Sequence, residues 1–307
     1  MCNIIITSKN GVNIMKKIRL IYNKSAGQNK SSEIISDIIG KFSENGFEVT
    51  AFRASKENSC EDFVKETTSD TYALVVAGGD GTINKVINYM MKHNVDVPLG
   101  IIPAGTSNDF ANHIGVFGNI DMAVDRIIEG NIEDVDIGKV NDNYFINVLS
   151  AGMFSSTSYK TDKRLKEMLG QISYFLTAAK QPFEQKPFKI RIETEDAVLE
   201  EKVVVFVIFN GSSVGRINVF TDNSSIQDGM LDMVILRSGK LNETIKILGE
   251  LENGEFISND NVVYLRDKKF KITMLDGKCD RPDVDGDEGP EFPLNVECIE
   301  KGIKMFL

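Results

Sequence analysis

Between residues 16 and 130, short apolar runs alternate with helical patterns, and this alternation limits the fold more than any other property of the chain. Residues 18–22, 47–52, 72–77 and 97–102 read as strands. Helical patterns cover about residues 31–43, 61–67 and 83–92, and a last one over 120–129 ends at Gly130. In the first helix Ile34, Ile35, Ile38, Ile39 and Phe42 recur on one face. Strands separated by helices at this spacing predict a doubly wound, parallel α/β sheet.

After Asn131 the pattern changes. Residues 135–140, 144–149, 188–194, 198–210, 231–236, 262–265 and 269–274 read as strands separated by Gly, Asn and Asp clusters, with few helices between them. Such a run predicts an antiparallel β-sandwich or barrel. One helical insertion is expected over about 158–180. The expected division is residues 15–135, with the tail at about 295–307 a candidate to return to it, and residues 136–294. The Lys16-Lys17 pair follows the only early apolar run, Ile4-Ile5-Ile6, so the first residues do not read as a signal peptide. Met15 is an alternative start, and residues 1–14 are left out of the expected fold.

Composition narrows the function classes. With 45 acidic against 35 basic residues the net charge is −10, a poor basis for nucleic-acid binding, which depends on cations neutralising phosphates. Cys2, Cys60, Cys279 and Cys298 form no C-x-x-C pair, so a disulfide framework and a thiolate zinc site are not expected, and a reducing, cytoplasmic setting is. Two histidines, His93 and His113, give little support to chemistry that needs a histidine cluster. The longest wholly apolar run, residues 203–209, is far shorter than the ~20 residues that cross a bilayer.

Three strand-to-helix turns in the first half carry glycine beside small polar residues: Asn23-Lys24-Ser25-Ala26-Gly27, Gly78-Gly79-Asp80-Gly81-Thr82, and Pro103-Ala104-Gly105-Thr106-Ser107-Asn108-Asp109. In an open parallel sheet such turns collect at the carboxyl ends of the strands, where ligands bind. Glycine admits close approach of the backbone, and helix N-termini present N–H groups to anions. A phosphate site is the expected use, with Thr82 expected to cap the following helix. The second turn is neither G-x-G-x-x-G nor a P-loop, because no Gly-Lys-Ser/Thr follows. Asp80 among phosphates calls for a bridging cation, and magnesium suits its hard oxygen.

At these residues the chain resembles the diacylglycerol kinase catalytic-domain family, bacterial lipid kinases related to sphingosine kinases, over nearly its whole length from Lys16. Gly79-Asp80-Gly81-Thr82-Ile83-Asn84 looks like the family's glycine loop, and residues 103–110 like its second nucleotide loop. Lys24 stands where the family's first turn usually has Pro, and Lys85 where it usually has Glu. The resemblance implies that Asn23, Gly27, Ser55, Gly79, Asp80, Gly81, Thr82, Ile83, Asn84 and Thr106 contact ATP, and that Asp80, Asp109 and Asp136 form an acidic network around magnesium and phosphates. It also implies a nucleotide-binding first domain, and a sandwich that holds the lipid. NAD kinases and phosphofructokinases share the Gly-Gly-Asp-Gly-Thr type of loop. The Gly-Thr-x-Asn-Asp-Phe segment is what resembles the lipid kinase branch.

Phosphoryl transfer needs a proton acceptor for the attacking hydroxyl, and without a histidine motif a carboxylate is the natural one. Asp283-Val284-Asp285-Gly286-Asp287-Glu288 is read either as a solvated acidic turn or as the family's Asp-Gly-Glu segment. The second reading places Asp287 as general base, with Asp where the family has Glu and Glu288 as the alternative. Asp228-Gly229 reads as a hairpin turn. By resemblance it is also a structural magnesium site, with the Asp228 side chain and the carbonyls of Ser225 and Met230 as ligands. Eight basic residues between 160 and 191, including Lys163, Arg164, Lys166, Lys189 and Arg191, face three acidic ones. With Ile172, Phe175, Leu176 and Ala179 at helical spacing, they suit either a helix packed on the sandwich or peripheral contact with an anionic membrane. The expected activity is ATP-dependent phosphorylation of a lipid hydroxyl, with a homodimer implied by the resemblance. A NAD kinase-like or other small-alcohol kinase, or a nucleotide-binding regulator without turnover, is the alternative.

Overall fold

The computed structural model describes residues 6–7, 13–14, 16–23, 31–55, 57–105, 108, 110–111, 114–116, 119–152, 187–211, 213–214, 217–218, 225–239 and 260–307. The chain packs as two compact units, Met1–Val135 with Ile303–Leu307, and Asp136–Gly302.

In the first unit, β1 (Lys17–Asn23), β2 (Glu48–Ala54), β3 (Thr71–Gly78) and β4 (Leu99–Pro103) form a parallel sheet in the order β2-β1-β3-β4. On the outer side of β4, Met305 pairs in parallel with Leu99. Among the described residues the sheet is covered by α1 (Ser31–Glu44), α2 (Glu61–Lys65), α3 (Asp80–His93) and α4 (Ile120–Glu129). Helix α1 packs with α4 over β2 and β4, whereas α2 packs with α3 over β3. This is the doubly wound arrangement, and it explains why Ala73 through Ala77 of β3 are wholly buried: a strand covered on both faces needs an unbroken apolar run. A Cβ on Gly100 would lie 2.6 Å from Ile127 Cδ1, so the approach of α4 to β4 depends on that glycine.

Helix α4 has the limits the sequence predicts. The Asn119 side chain accepts from Met122 N–H, and Gly130 ends the helix in the left-handed region at φ 82°. Helix α3 differs. It begins at Asp80, three residues before its apolar pattern, with extended Gly79 as its N-cap. Thr82 therefore lies inside the first turn and does not cap it. An apolar period cannot register a first turn made of Asp, Gly and Thr. Residues 6–7 and 13–14, left out of the expected fold, pair as a short antiparallel ladder.

The second unit is antiparallel. The strands of its main sheet are β5 (Ile132–Val140, shared with the first unit), β6 (Asn143–Phe145), β7 (Val148–Gly152), β8 (Phe188–Glu193), β9 (Val198–Phe209), β10 (Leu231–Arg237), β11 (Val262–Asp267), β12 (Lys269–Asp276), β13 (Asp283–Val284), β14 (Asp287–Glu288) and β15 (Leu294–Phe306). They pair in the order β14-β13-β7-β9-β8-β12-β15, with β10 on β9 and β11 on β10. Strand β9 is long enough to pair with β8 along its first half and with β7 and β10 along its second. Alternation builds the core: Ile190, Ile192, Phe206, Ile208, Met233, Ile235, Phe270 and Ile272 all point inward and are buried. The next residues over, Phe209, Val148 and Val234, join Val207, Val262 and Tyr264 in a second apolar cluster.

The strand expected over 144–149 is two strands, broken at Ile146 and Asn147. Their N–H groups turn to the Asp285 carboxylate, at 2.7 and 3.1 Å, and so leave the ladder. The β13–β14 hairpin and the thirteen residues of β15 were not predicted as strands. An acidic turn conceals the first, and left-handed Lys301 beside Gly302 interrupts the alternation of the second. The helix expected over 158–180 lies outside the described residues.

Candidate functional site

Register brings the first group of candidates to one edge of the parallel sheet. Asn23 ends β1 opposite Ala54, whose neighbour is Ser55, and Gly78 ends β3 opposite Pro103 at the end of β4. The carboxyl ends of β3 and β4 thus carry glycine-bearing turns side by side, as the topology requires. The turns after β3 and β4 touch through bare backbone. A Cβ on Gly105 would lie 2.4 Å from Gly79 Cα, and one on Gly79 would lie 3.2 Å from Gly105 Cα. Ala104 N–H donates to Gly78 O at 3.2 Å, and the Asn108 side chain (φ 52°) closes its own loop through Gly105 N–H and O at 2.9 and 3.0 Å.

Asp80 joins the two loops: its Oδ1 accepts Phe110 N–H at 3.0 Å across the site. As an acidic residue in the first turn of α3 it suits the positive end of the helix. Within that turn Thr82 and Ile83 N–H already donate to Gly79 O at 2.8 and 3.2 Å, so what the edge offers a ligand is the positive end of the helix beside a carboxylate. Thr82 packs against Gly78, where a Cβ would lie 3.0 Å from its own Cβ. Ile83 is wholly buried, its side chain in the core and its N–H donating to Gly79 O at 3.2 Å. Asn84 is buried too and accepts from Asn88 Nδ2 at 2.6 Å. Ser55 is occupied locally: its hydroxyl donates to Glu57 at 2.9 Å and accepts the N–H groups of Glu57 and Asn58. Gly27, Thr106 and Asp109 lie outside the described residues.

In the second unit the carboxylates divide by exposure. Asp287 and Glu288 are exposed on the short strand β14. Successive strand residues face opposite ways, so only one of them can serve a given site. Glu288 faces Arg281 at 3.5 Å, and Arg281 also holds Glu291 at 2.5 Å. Directly before this strand, Asp285 (φ 49°) accepts three backbone N–H groups, those of Ile146, Asn147 and Val148. Asp283 Oδ1 accepts Gly286 N–H at 2.9 Å and closes the turn that presents Asp287. Sequence reasoning gave neither Asp283 nor Asp285 a role. The signal that could have found Asp285 is its position before Gly286, since Asp tolerates the left-handed backbone.

Asp136, expected among ligands of magnesium and phosphate, is wholly buried. One of its oxygens accepts Gly229 N–H at 2.6 Å and the other Lys301 N–H at 2.8 Å, so it joins two chain segments and has no oxygen turned to a ligand. Ser225, Asp228 and Met230 do come together, but through N–H groups: Ser225 N–H donates to Asp228 Oδ2 at 2.7 Å and Met230 N–H to Oδ1 at 2.9 Å. Arg266 also donates to Asp228 Oδ2, at 2.7 Å. A magnesium ion needs converging oxygen acceptors, so this donor set does not fit the expected ion. Cys279 and Cys298 are no substitute nucleophiles, because burial pushes both thiols up to about 12.

Comparison with known proteins supplies the decisive observation. The family model described as the diacylglycerol kinase catalytic domain matches residues 17–140, and the YegS C-terminal NAD kinase beta sandwich-like domain matches residues 147–307. The diacylglycerol kinase of Bacillus subtilis (strain 168) is 31% identical over 281 residues, covering 91% of this chain and 92% of the relative. That of Staphylococcus carnosus (strain TM300) is 30% identical, covering 95% of each chain. A crystal structure of a diacylglycerol kinase from Bacillus anthracis str. Sterne superposes with a TM-score of 0.78 at 25% identity, covering 95% of this chain and 96% of that one.

The chain belongs to the diacylglycerol kinase family.

Membership makes it a lipid kinase, an enzyme that uses ATP, and removes the regulator without turnover. The tie to NAD kinase is confined to the sandwich of the second unit, and does not extend to the catalytic domain. The catalytic-domain match takes in the whole glycine edge. Among the described residues no helix is long and apolar enough to cross a membrane.

Proposed function

We propose that this lipid kinase transfers the γ-phosphate of ATP to the hydroxyl of a lipid such as diacylglycerol, the acceptor named for its relatives. The observation that carries the reading is the backbone-to-backbone contact of Gly79 with Gly105 beside Asp80, where any side chain would fill the space next to the helix N-terminus. Residues 15–135 then bind the nucleotide, through Asn23, Gly27, Gly79, Gly81, Thr82, Thr106 and the backbone of Ile83 and Asn84. Residues 136–294 bind the lipid, and the apolar cluster of Val148, Val207, Phe209 and Val234 is the natural wall for acyl chains.

Magnesium travels with ATP, and Asp80 and Asp109 are the carboxylates that would hold it; when bound, it neutralises the phosphate oxygens. Asp287 is the base. Both carboxylates are exposed, and the engagement of Glu288 by Arg281 supports Asp287. Asp287 takes the proton as the lipid oxygen forms its bond to phosphorus and the bond to the ADP oxygen breaks. Asp136 and Asp285 position backbone. Peripheral contact with an anionic membrane through the basic stretch, and a homodimer, complete the reading. Lys189 and Arg191 belong to strand β8 and pair with Glu200, so Lys163, Arg164 and Lys166 are the residues to reverse in a liposome-binding assay.

Labelled ATP incubated with diacylglycerol, a monoacylglycerol, a sphingoid base and a polyprenol in mixed micelles, with NAD as control, tests the acceptor. Label in diacylglycerol that is lost in Asp80→Ala and Asp287→Asn supports the reading. Label in NAD alone, or label in lipid that survives Asp287→Asn at the full rate, overturns it.

A further inference from the structure

The loop over Ser225, Asp228 and Met230 does not suit a divalent cation, and what occupies it instead is specific. Asp232 of β10 and Arg266 of β11 are directly opposed in the strand register, as are Val234 and Tyr264. This pairing brings a guanidinium across a carboxylate that is only 1% exposed. Arg266 Nη2 lies 2.7 Å from Asp228 Oδ2, and Nε lies 3.7 Å from Asp232 Oδ1. Tyr264 donates its hydroxyl to the same Asp232 oxygen while its ring packs on the second apolar cluster. Ser225 and Met230 both donate N–H groups to Asp228. Every group shown to converge on Asp228 is a donor, and one is a full positive charge.

We propose that Arg266 is the resident cation of this loop, closing residues 225–230 onto β10 and β11 where the family resemblance implies magnesium. An arginine suits the task because its fixed fork can serve two carboxylates from one position, and it needs no metal in solution. The need for divalent metal then falls on the nucleotide alone. The inference rests on the second unit and is independent of which lipid is phosphorylated.

The test uses the nucleotide-free full chain. Thermal unfolding in excess EDTA and in millimolar MgCl2 is expected to give the same midpoint, and Mn2+ titration followed by electron paramagnetic resonance is expected to show no tight site that Asp228→Asn removes. Arg266→Met is expected to lower the midpoint by roughly 5 °C or more, with Arg266→Lys falling between it and the parent. A midpoint raised by Mg2+ in the parent, or a Mn2+ site abolished by Asp228→Asn, overturns the proposal. The Mn2+ titration decides even if Arg266→Met does not fold. Failure here leaves lipid phosphorylation with ATP and Mg2+ intact, and that activity is assayed separately on the parent protein.

Discussion

The two units build with different means. At the sheet edge of the first, two glycine turns meet through backbone alone, Gly79 against Gly105, beside one carboxylate at the start of α3. In the second, aspartates gather backbone N–H groups: Asp136 takes two, Asp228 two and Asp285 three. Bare backbone leaves room for a ligand that comes and goes, whereas a carboxylate holding several N–H groups fixes a shape. Asp80 takes the N–H of Phe110 and Asp287 is exposed, while Asp136 is wholly buried.

The sharpest way to break this contrast is to change an exposed and an enclosed carboxylate of the same hairpin. As the proposed base, exposed on its strand, Asp287→Asn is expected to lower kcat by ~10²–10⁴-fold with an unchanged melting midpoint. Stopped-flow or steady-state phosphorylation beside calorimetry checks both parts. For Asp285 the order reverses. Asp285→Ala removes the acceptor for three N–H groups and is expected to cost about 3 kcal/mol in urea unfolding. Asp285→Asn keeps the left-handed backbone and separates the charge from the conformation.

A smaller effect sharpens the glycine half. Gly105→Ala places a Cβ 2.4 Å from Gly79 Cα, and is expected to cost ~1–3 kcal/mol of stability and to weaken ATP binding in calorimetric titration. Gly81→Ala, with nothing within 4 Å of its Cβ, is the control that should keep stability close to that of the parent. The smallest effect is electrostatic. Hydrogen bonds from Arg237 hold the Glu201 carboxyl below its ordinary 4.5. Its contribution is therefore present above that value and lost as pH falls through the lowered one. In melts from about pH 3 to 7, Glu201→Gln should lie below the parent at neutral pH and converge with it in acid.

Much of the first unit was legible because its elements are coded locally. The β3 run from Ala73 to Ala77 is buried on both faces, and the Asn119 and Gly130 caps fix α4 without help from distant residues. The start of α3 was not legible, since Gly79 caps through backbone conformation alone. In the second unit the strands that alternate were readable, and those shaped by a remote carboxylate were not. Nothing near Ile146 announces that its N–H turns to a side chain 139 residues away. The candidate site divides likewise. Glycine turns announce a ligand edge, but whether Asp136, Asp228 or Asp285 faces ligand or backbone depends on partners such as Lys301, Arg266 and Val148.

Strand β15 begins in the second unit, and its end, with Leu307 after it, belongs to the first as Ile303–Leu307. A ribosome therefore releases the piece that flanks β4 only after the whole intervening unit has been made. The early half must wait with that flank bare, exposing Leu99 and its neighbours to stray pairing. Trimming the last five residues should consequently injure the half of the protein synthesised first, an inversion of the usual expectation for a C-terminal deletion.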